Sequence, residues 1–405
     1  MSASPTFRAA GHPWRLYVGQ GALERSLGEA LDRAGARRAF VICSPSVNRR
    51  TDTVQRIGAT LGERYAGVFD RIEKDSTYAS VQAATDAARA AGADMLIAAG
   101  GGSVLVAVRV VAVYLGEQGS PFDLMTQYPE GKPAYSPRLN APKLPIVNVP
   151  TTPNSAVNRA GSGLKNPDLD HRMEYFDPKT RPHSIVLDEA VLMASPPEVV
   201  RSTAATVFAG TLSSLSQTGV NPLVEGDHRQ AFRLAHNAYL RLMDEPENPQ
   251  LRIDLALAAF LQNRAEDDGR NRFAGGPFSG NYAVSTALHV RYPSVGQGES
   301  ISVVHATALR LAESVEAEAA RRVADGLGVW RDGMRPPQAG AAVADRLEAI
   351  YAGTGMPIRV SQLGIPEDDL PNIAAETIKN FNANRGARSP EQQVADALRL
   401  LRAAW

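Results

Sequence analysis

The sequence predicts a chain in two parts, an α/β half over residues 1–195 and an all-helical half over 196–405. Three observations carry that prediction. Strand and helix signals alternate through the first half, which implies βαβ units and a mostly parallel sheet with flanking helices. One buried strand runs straight into Gly100-Gly101-Gly102-Ser103 and then an apolar helix. After Leu192-Met193-Ala194-Ser195-Pro196-Pro197 the strand signals stop, and Ala- and Leu-rich helical runs take over.

In order, Trp14 to Val18 reads as a strand, Ala22 to Ala34 as a helix, and Arg38 to Cys43 as a buried strand ending at Ser44-Pro45-Ser46. A helix over Val54 to Leu61 and a strand over Tyr65 to Asp70 follow. Tyr78 to Ala91 is amphipathic at helical spacing, with Ser76 or Thr77 as its N-cap. Met95 to Ala99 is the strand before the glycines, Val104 to Leu115 the helix after them, and Leu144 to Val149 a further strand. The Pro-rich stretch from Gln127 to Ala141 reads as a surface loop. Helical runs then occupy about 198–218, 227–243, 250–268, 282–290, 300–325, 340–352 and 390–404.

Glycines at a strand-to-helix turn have no Cβ and tolerate positive φ, so the backbone can come close to a ligand. The new helix points its unpaired N–H groups at the same spot, which suits a phosphate or pyrophosphate. Ligands of parallel sheets lie beyond the carboxyl ends of the strands, where Ser44, Gly100 to Ser103 and Pro150-Thr151-Thr152 all emerge. Forty-three basic and 43 acidic side chains cancel, which gives no bulk electrostatic case for nucleic acid or an anionic membrane. The single cysteine, Cys43, allows neither an internal disulfide nor a zinc knuckle. No signal-peptide pattern and no long apolar run is present, so a cytoplasmic protein is expected.

An ordered set of motifs resembles the iron-containing alcohol dehydrogenase family. The set comprises Asp75-Ser76-Thr77, Gly92-Ala93-Asp94, Gly100-Gly101-Gly102-Ser103, Pro150-Thr151-Thr152, Asp188-Glu189 and Ser195-Pro196-Pro197-Glu198-Val199. In the second half it continues with Thr203-Ala204-Ala205-Thr206, Asn221-Pro222-Leu223, Gly298-Glu299, Gly355-Met356-Pro357, Leu363 to Leu370 and Asn384-Arg385. The resemblance implies an N-terminal dinucleotide-binding α/β domain and an all-α C-terminal domain, the dehydroquinate synthase-like fold. It also implies a homodimer.

The family holds a divalent metal with one aspartate and three histidines of the helical domain. The matching positions here are Ala209, Ser213, Ser285 or Thr286, and Gln297 before Gly298. Alanine has no donor atom, and hydroxyl and amide side chains are poor ligands for iron or zinc beside imidazole and carboxylate. No metal is expected. His228 and His236 lie eight residues apart, two helical turns, too far to share an ion, and Asp227 faces away from His228. His289 falls at the family's proton-relaying histidine, a role that suits an imidazole, although a packed core histidine fits as well. Asn281, Tyr282, Ser285 and Thr286 add an amide and hydroxyls in the expected interdomain cleft, with Tyr282 a possible proton donor. Lys165, Asn166 and Arg172 are expected to face it, whereas His171 and His183 read as surface residues.

The cofactor motifs are also altered. Val106 and Arg109 stand where the family has an aspartate and a lysine, and Asn154-Ser155-Ala156-Val157-Asn158 replaces a Gly-rich second loop. Ser44 replaces an aspartate that contacts the adenosine ribose, and Arg49-Arg50 follow. Arginines without a repelling carboxylate suit a 2′-phosphate, which tips the expectation toward NADPH over NADH; a solvated helix start explains the pair equally well. The cofactor-binding set is then Ser44, Gly100, Gly101, Gly102, Ser103, Thr151, Thr152 and Asn154, and the catalytic set His289, Tyr282, Ser213 and Gln297. The function implied is metal-independent, NAD(P)H-dependent carbonyl–alcohol interconversion on a small molecule. The alternative is a scaffold repurposed for non-redox chemistry or for nucleotide or ligand binding without catalysis.

Overall fold

The computed structural model describes residues 6–129, 132–265, 278–279, 281–378 and 389–405. The chain divides into a sheet unit, Pro13–Pro196 with Glu247–Ala256, and a helical unit comprising Pro197–Pro246 and Leu257–Trp405 with the residues up to His12.

The sheet unit runs β1 (Arg15–Gly19), α1 (Ala22–Ala34), β2 (Ala39–Cys43), α2 (Pro45–Arg50), α3 (Thr53–Leu61), β3 (Tyr65–Phe69), α4 (Tyr78–Ala90), β4 (Met95–Gly100) and α5 (Gly102–Gly116). It continues through α6 (Pro121–Leu124), β5 (Ile146–Pro150), β6 (Gly161–Leu164), β7 (Met173–Phe176), β8 (Ser184–Asp188) and α7 (Glu189–Met193). Six strands form one parallel sheet in the order β1-β8-β5-β4-β2-β3, and β6 and β7 pair as an antiparallel hairpin. Alternation along the strands sorts side chains between two cores. Phe40, Ile42, Leu96 and Ala98 pack with residues of α4 and α5. Val41, Cys43, Met95, Ile97 and Ala99 pack on the other face with Leu23, Leu27 and Ile57. Strand order reverses between β2 and β4, and that switch point is where open α/β sheets bind ligands.

Local chemistry fixes the helix ends. Thr77, rather than Ser76, caps α4 by accepting from Ser80 N. Buried Asp188 accepts from Leu23 N and Val191 N and pairs with Arg56, so one carboxylate joins β8, α1, α7 and α3. Three strands were not expected: β6, β7 and β8.

The helical unit comprises α8 (Pro197–Leu215), α9 (Pro222–Arg241), the later part of α10 (Pro249–Arg264), α11 (Tyr282–Arg291), α12 (Gln297–Arg310), α13 (Ala317–Gly326), α14 (Pro336–Gly353), α15 (Leu370–Ala375) and α16 (Pro390–Ala404). Pro222 follows the N-cap Asn221, whose Oδ1 accepts from Leu223 N and Val224 N. The run read as one helix over 300–325 is two, because Glu316 turns its carboxylate onto Glu318 N and Ala319 N and starts α13 afresh. The last residues of the expected 250–268 run, 266–268, lie outside the described residues. Phe208 of α8 centres an aromatic core, stacked on Tyr239 at 5.1 Å and edge-on to Tyr351 at 6.1 Å. Among the described residues no helix is long and apolar enough to cross a membrane.

Candidate functional site

The sheet unit brings the predicted cofactor residues to one edge. Cys43 of β2 pairs with Ala99 of β4, and Gly100 pairs with Pro150 of β5. Ser44, Gly101 to Ser103 and Thr151-Thr152 therefore leave adjacent strand ends. Thr151 N donates to Gly100 O at 3.1 Å, and Val104 N to Gly101 O at 3.0 Å, closing the turn into α5.

The three glycines have different reasons to be glycine. None has positive φ, so close approach rather than backbone freedom decides. A Cβ at Gly100 would lie 2.6 Å from Val104 Cγ2, an intolerable clash. At Gly101 and Gly102 the nearest atoms would be Thr152 Oγ1 at 3.4 Å and Asn154 Oδ1 at 3.9 Å, which leaves the start of α5 open. Thr152 Oγ1 is buried and has no hydrogen-bond partner among the described residues. An open helix N-terminus beside an unanswered hydroxyl fits the pyrophosphate of a dinucleotide. Asn154 is used within its loop, its amide donating to Thr152 O at 2.9 Å and its oxygen accepting from Ala156 N at 2.9 Å.

Two features of this edge escaped sequence reasoning. Asp75 and Ser76 both adopt left-handed backbone, with φ of 63° and 53°, a conformation costly for residues other than glycine. Ser103 holds them: its Oγ accepts from Asp75 N at 3.1 Å, and its carbonyl accepts from Ser76 Oγ at 2.6 Å. Asp70 is the second. Its carboxylate accepts from Asn48 of α2 at 2.9 Å, so a carboxylate stands near Ser44 on the neighbouring strand end. Ser44 precedes α2 without a side-chain cap bond, its Oγ 3.0 Å from Ser46 Oγ, and Arg49 and Arg50 are exposed at the end of that helix.

Arg109 is buried, and its guanidinium donates to Ser162 Oγ, Ala156 O and Arg159 O at 2.8–3.1 Å. Burial and nearby Arg159 push its pKa down to about 9. It rivets the second loop and the β6–β7 hairpin to α5. Lys165 exchanges backbone bonds with Ser76 and Tyr78. Asn166 is buried beside Met173, and Arg172 pairs with Asp75 at 4.0 Å. His171 and His183 are not surface residues. His171 lies 2.7 Å from Asp170 and edge-on to Tyr128, and half-buried His183 opens β8, its Nδ1 2.9 Å from Ser184 Oγ.

In the helical unit the residues expected at the metal-ligand positions lie on α8, α11 and α12. Ala209 and Ser213 are buried on α8, Ser285 is buried on α11, and Gln297 opens α12. Helix α12 touches both α8 and α11. A Cβ at Gly298 would stand 2.1 Å from Ser202 O, and Ser202 Oγ donates to Glu299 Oε2 at 2.5 Å. These residues do not fit a divalent ion: one supplies no donor atom and the others are neutral oxygens and an amide. Among the described residues no group of three or more His, Cys, Asp and Glu side chains could hold one elsewhere.

His289 is buried, its Nδ1 2.9 Å from Ser285 O, so that nitrogen carries the hydrogen. Tyr282, half-buried, begins the same helix. The remaining histidines are structural: His305 engages Tyr351 OH at 2.9 Å and Phe278 O at 3.0 Å, His236 stacks on Phe232 at 5.3 Å, and His228 is fully buried.

Residues 13–189 match the family description "Iron-containing alcohol dehydrogenase", and residues 203–405 match its C-terminal domain. Maleylacetate reductase 2 of Cupriavidus pinatubonensis is 27% identical over 62% of this chain and 60% of its own. The maleylacetate reductase of Sphingobium indicum is 24% identical over 91% of this chain and 90% of its own. The structure of the NADH-dependent butanol dehydrogenase A of Thermotoga maritima superposes with a TM-score of 0.84, at 16% identity and 98% coverage of both chains.

Proposed function

The chain belongs to the iron-containing alcohol dehydrogenase family, and on that premise we propose that it is an NAD(P)H-dependent oxidoreductase that interconverts a carbonyl compound and its alcohol without a metal ion. The carrying observation is the contrast between an open glycine turn with an unanswered Thr152 hydroxyl and a ligand set reduced to Ala209, Ser213, Ser285 or Thr286, and Gln297.

When bound, the nicotinamide cofactor supplies a hydride to the carbonyl carbon; the oxygen then takes one proton to give the alcohol. Gly101, Gly102 and Thr152 would hold the pyrophosphate, with Thr151 alongside and Ser103 keeping the 75–76 segment in place. His289 would pass the proton, with Tyr282 as the second donor. Hydroxyl and amide donors at Ser213 and Gln297 would take up charge on the substrate oxygen, a role a metal otherwise fills. We propose NADPH over NADH because Arg49 and Arg50 are exposed beyond Ser44, while Asp70 is already engaged by Asn48. A homodimer is proposed on the family resemblance.

The test is a fluorescence titration of the purified protein with NADPH and NADH, alongside elemental analysis for iron, zinc, nickel and manganese. Cofactor binding without stoichiometric metal is expected. Stoichiometric metal would overturn metal independence, and binding of neither nucleotide would overturn the oxidoreductase and leave a repurposed scaffold.

A further inference from the structure

Arg109 is 2% exposed, and the charge that acts on it is that of Arg159, of the same sign; among the described residues it has no carboxylate partner. Its partners are three oxygens of the chain after β5. Nη1 donates to Ala156 O at 2.8 Å and Arg159 O at 3.1 Å, and Nε donates to Ser162 Oγ at 3.0 Å. A run of hydrogen bonds leads from there to the nucleotide edge. Ala156 N donates to Asn154 Oδ1, and Asn154 Nδ2 to Thr152 O, each at 2.9 Å. The unanswered Thr152 Oγ1 ends the run, 3.4 Å from the Cβ position of Gly101. Gly102 and Arg109 both lie on α5, two helical turns or about 10 Å apart. One helix therefore carries the open turn at its start and, further along, the clamp on the loop that sets the hydroxyl beside that turn.

A buried cation without a carboxylate is unfavourable, so its retention calls for something that a neutral side chain cannot do. A guanidinium presents its N–H groups in a rigid planar fork, whereas an ammonium is a point charge on a flexible stem. Arg109 stands where the family has a lysine, and Asn154-Ser155-Ala156-Val157-Asn158 stands where it has a Gly-rich loop. The two departures match: a loop with less backbone freedom is fixed by a fork that reaches Ala156, Arg159 and Ser162 at once. We infer that Arg109 is a positioning residue of the nucleotide site, which holds Thr152 Oγ1 beside the first turn of α5 through Ala156 and Asn154 without itself touching the cofactor. The inference rests on the reading of this edge as a dinucleotide site.

A double-mutant cycle on NADPH affinity, read by fluorescence titration, separates positioning from stability alone. Thr152→Val should weaken binding by the wild type several-fold. Arg109→Met should weaken it about tenfold, and adding Thr152→Val to Arg109→Met should then change it by less than about twofold, because the hydroxyl is no longer held in place. Arg109→Lys keeps the charge and loses the fork, so it should restore Tm more than affinity. Ser162→Ala, which removes one acceptor and leaves the charge, gives a second cycle that does not depend on Arg109→Met folding; the effect of Thr152→Val should shrink there as well. An Arg109 that only stabilises the fold would lower Tm and leave the full effect of Thr152→Val in every background, and one that acts by charge alone would be rescued by lysine. Either result overturns the inference while nucleotide binding stands, as does a Thr152→Val without effect in the wild type. A wild type that binds neither NADPH nor NADH overturns the nucleotide reading itself, and the positioning role with it.

Discussion

Gly101 and Gly298 stand at the first turns of two helices, one in each unit, and they are glycine for opposite reasons. At Gly298 the space of a side chain is taken by protein, with Ser202 O 2.1 Å from the Cβ position. At Gly101 the nearest atom is a hydroxyl at 3.4 Å that has no partner among the described residues. The imidazole of His305, likewise, has both nitrogens answered by protein. The helical unit has closed much of its chemistry on itself, whereas the sheet unit keeps its edge open. Residue type alone does not separate a packing glycine from a binding glycine; the atom facing it does.

The comparison breaks first at Gly298. Gly298→Ala drives a methyl into a backbone carbonyl that cannot rotate away, and should cost about 3 kcal/mol in urea unfolding. A cost below about 1 kcal/mol would mean that α12 and α8 are not locked there.

An effect of similar size should come from pH. Burial pushes the His305 pKa down to about 4, below the usual value near 6.5 of an unfolded chain. Between those values the unfolded chain binds a proton that the folded one does not. The resulting stability is complete above about pH 6.5 and is lost as pH falls toward 4, by roughly 3 kcal/mol in all. Unfolding free energies across that window should slope accordingly, and His305→Gln should flatten the slope. A wild type whose stability is level there would show that the imidazole is not held neutral.

Gly101→Val should leave unfolding within about 1 kcal/mol of the wild type but weaken nucleotide binding by about tenfold or more, read by fluorescence titration. The opposite pattern, lost stability with affinity kept, would make Gly101 another packing glycine. Thr152→Val should have the smallest effect, removing an unanswered hydroxyl and so holding or raising stability by up to about 1 kcal/mol. Its nucleotide affinity should fall several-fold; unchanged affinity would remove Thr152 from the site.

Most of the fold could be read in the sequence where burial is two-sided. Strands β2 and β4 are continuous apolar runs, and β5 is one broken only by Asn148, because helices cover both faces. β6, Gly161–Leu164, has no such run and exists only through its pairing with β7, a long-range fact. The division of α12 from α13 was hidden because no Gly or Pro marks it; the helix restarts on the Glu316 side chain. At the site, the glycine turn declared itself by spacing. The left-handed Asp75 and Ser76 did not, since what holds them is Ser103, more than 25 residues away in sequence.

Cys43 closes the buried strand β2, and burial with nearby Asp70 pushes its thiol up to about 12. At neutral pH the native chain therefore offers almost no thiolate, the only form that alkylates. Since this is the single thiol in the sequence, one covalent label per chain counts openings of the sheet core. The protein carries its own clock for how often this edge of the sheet comes apart.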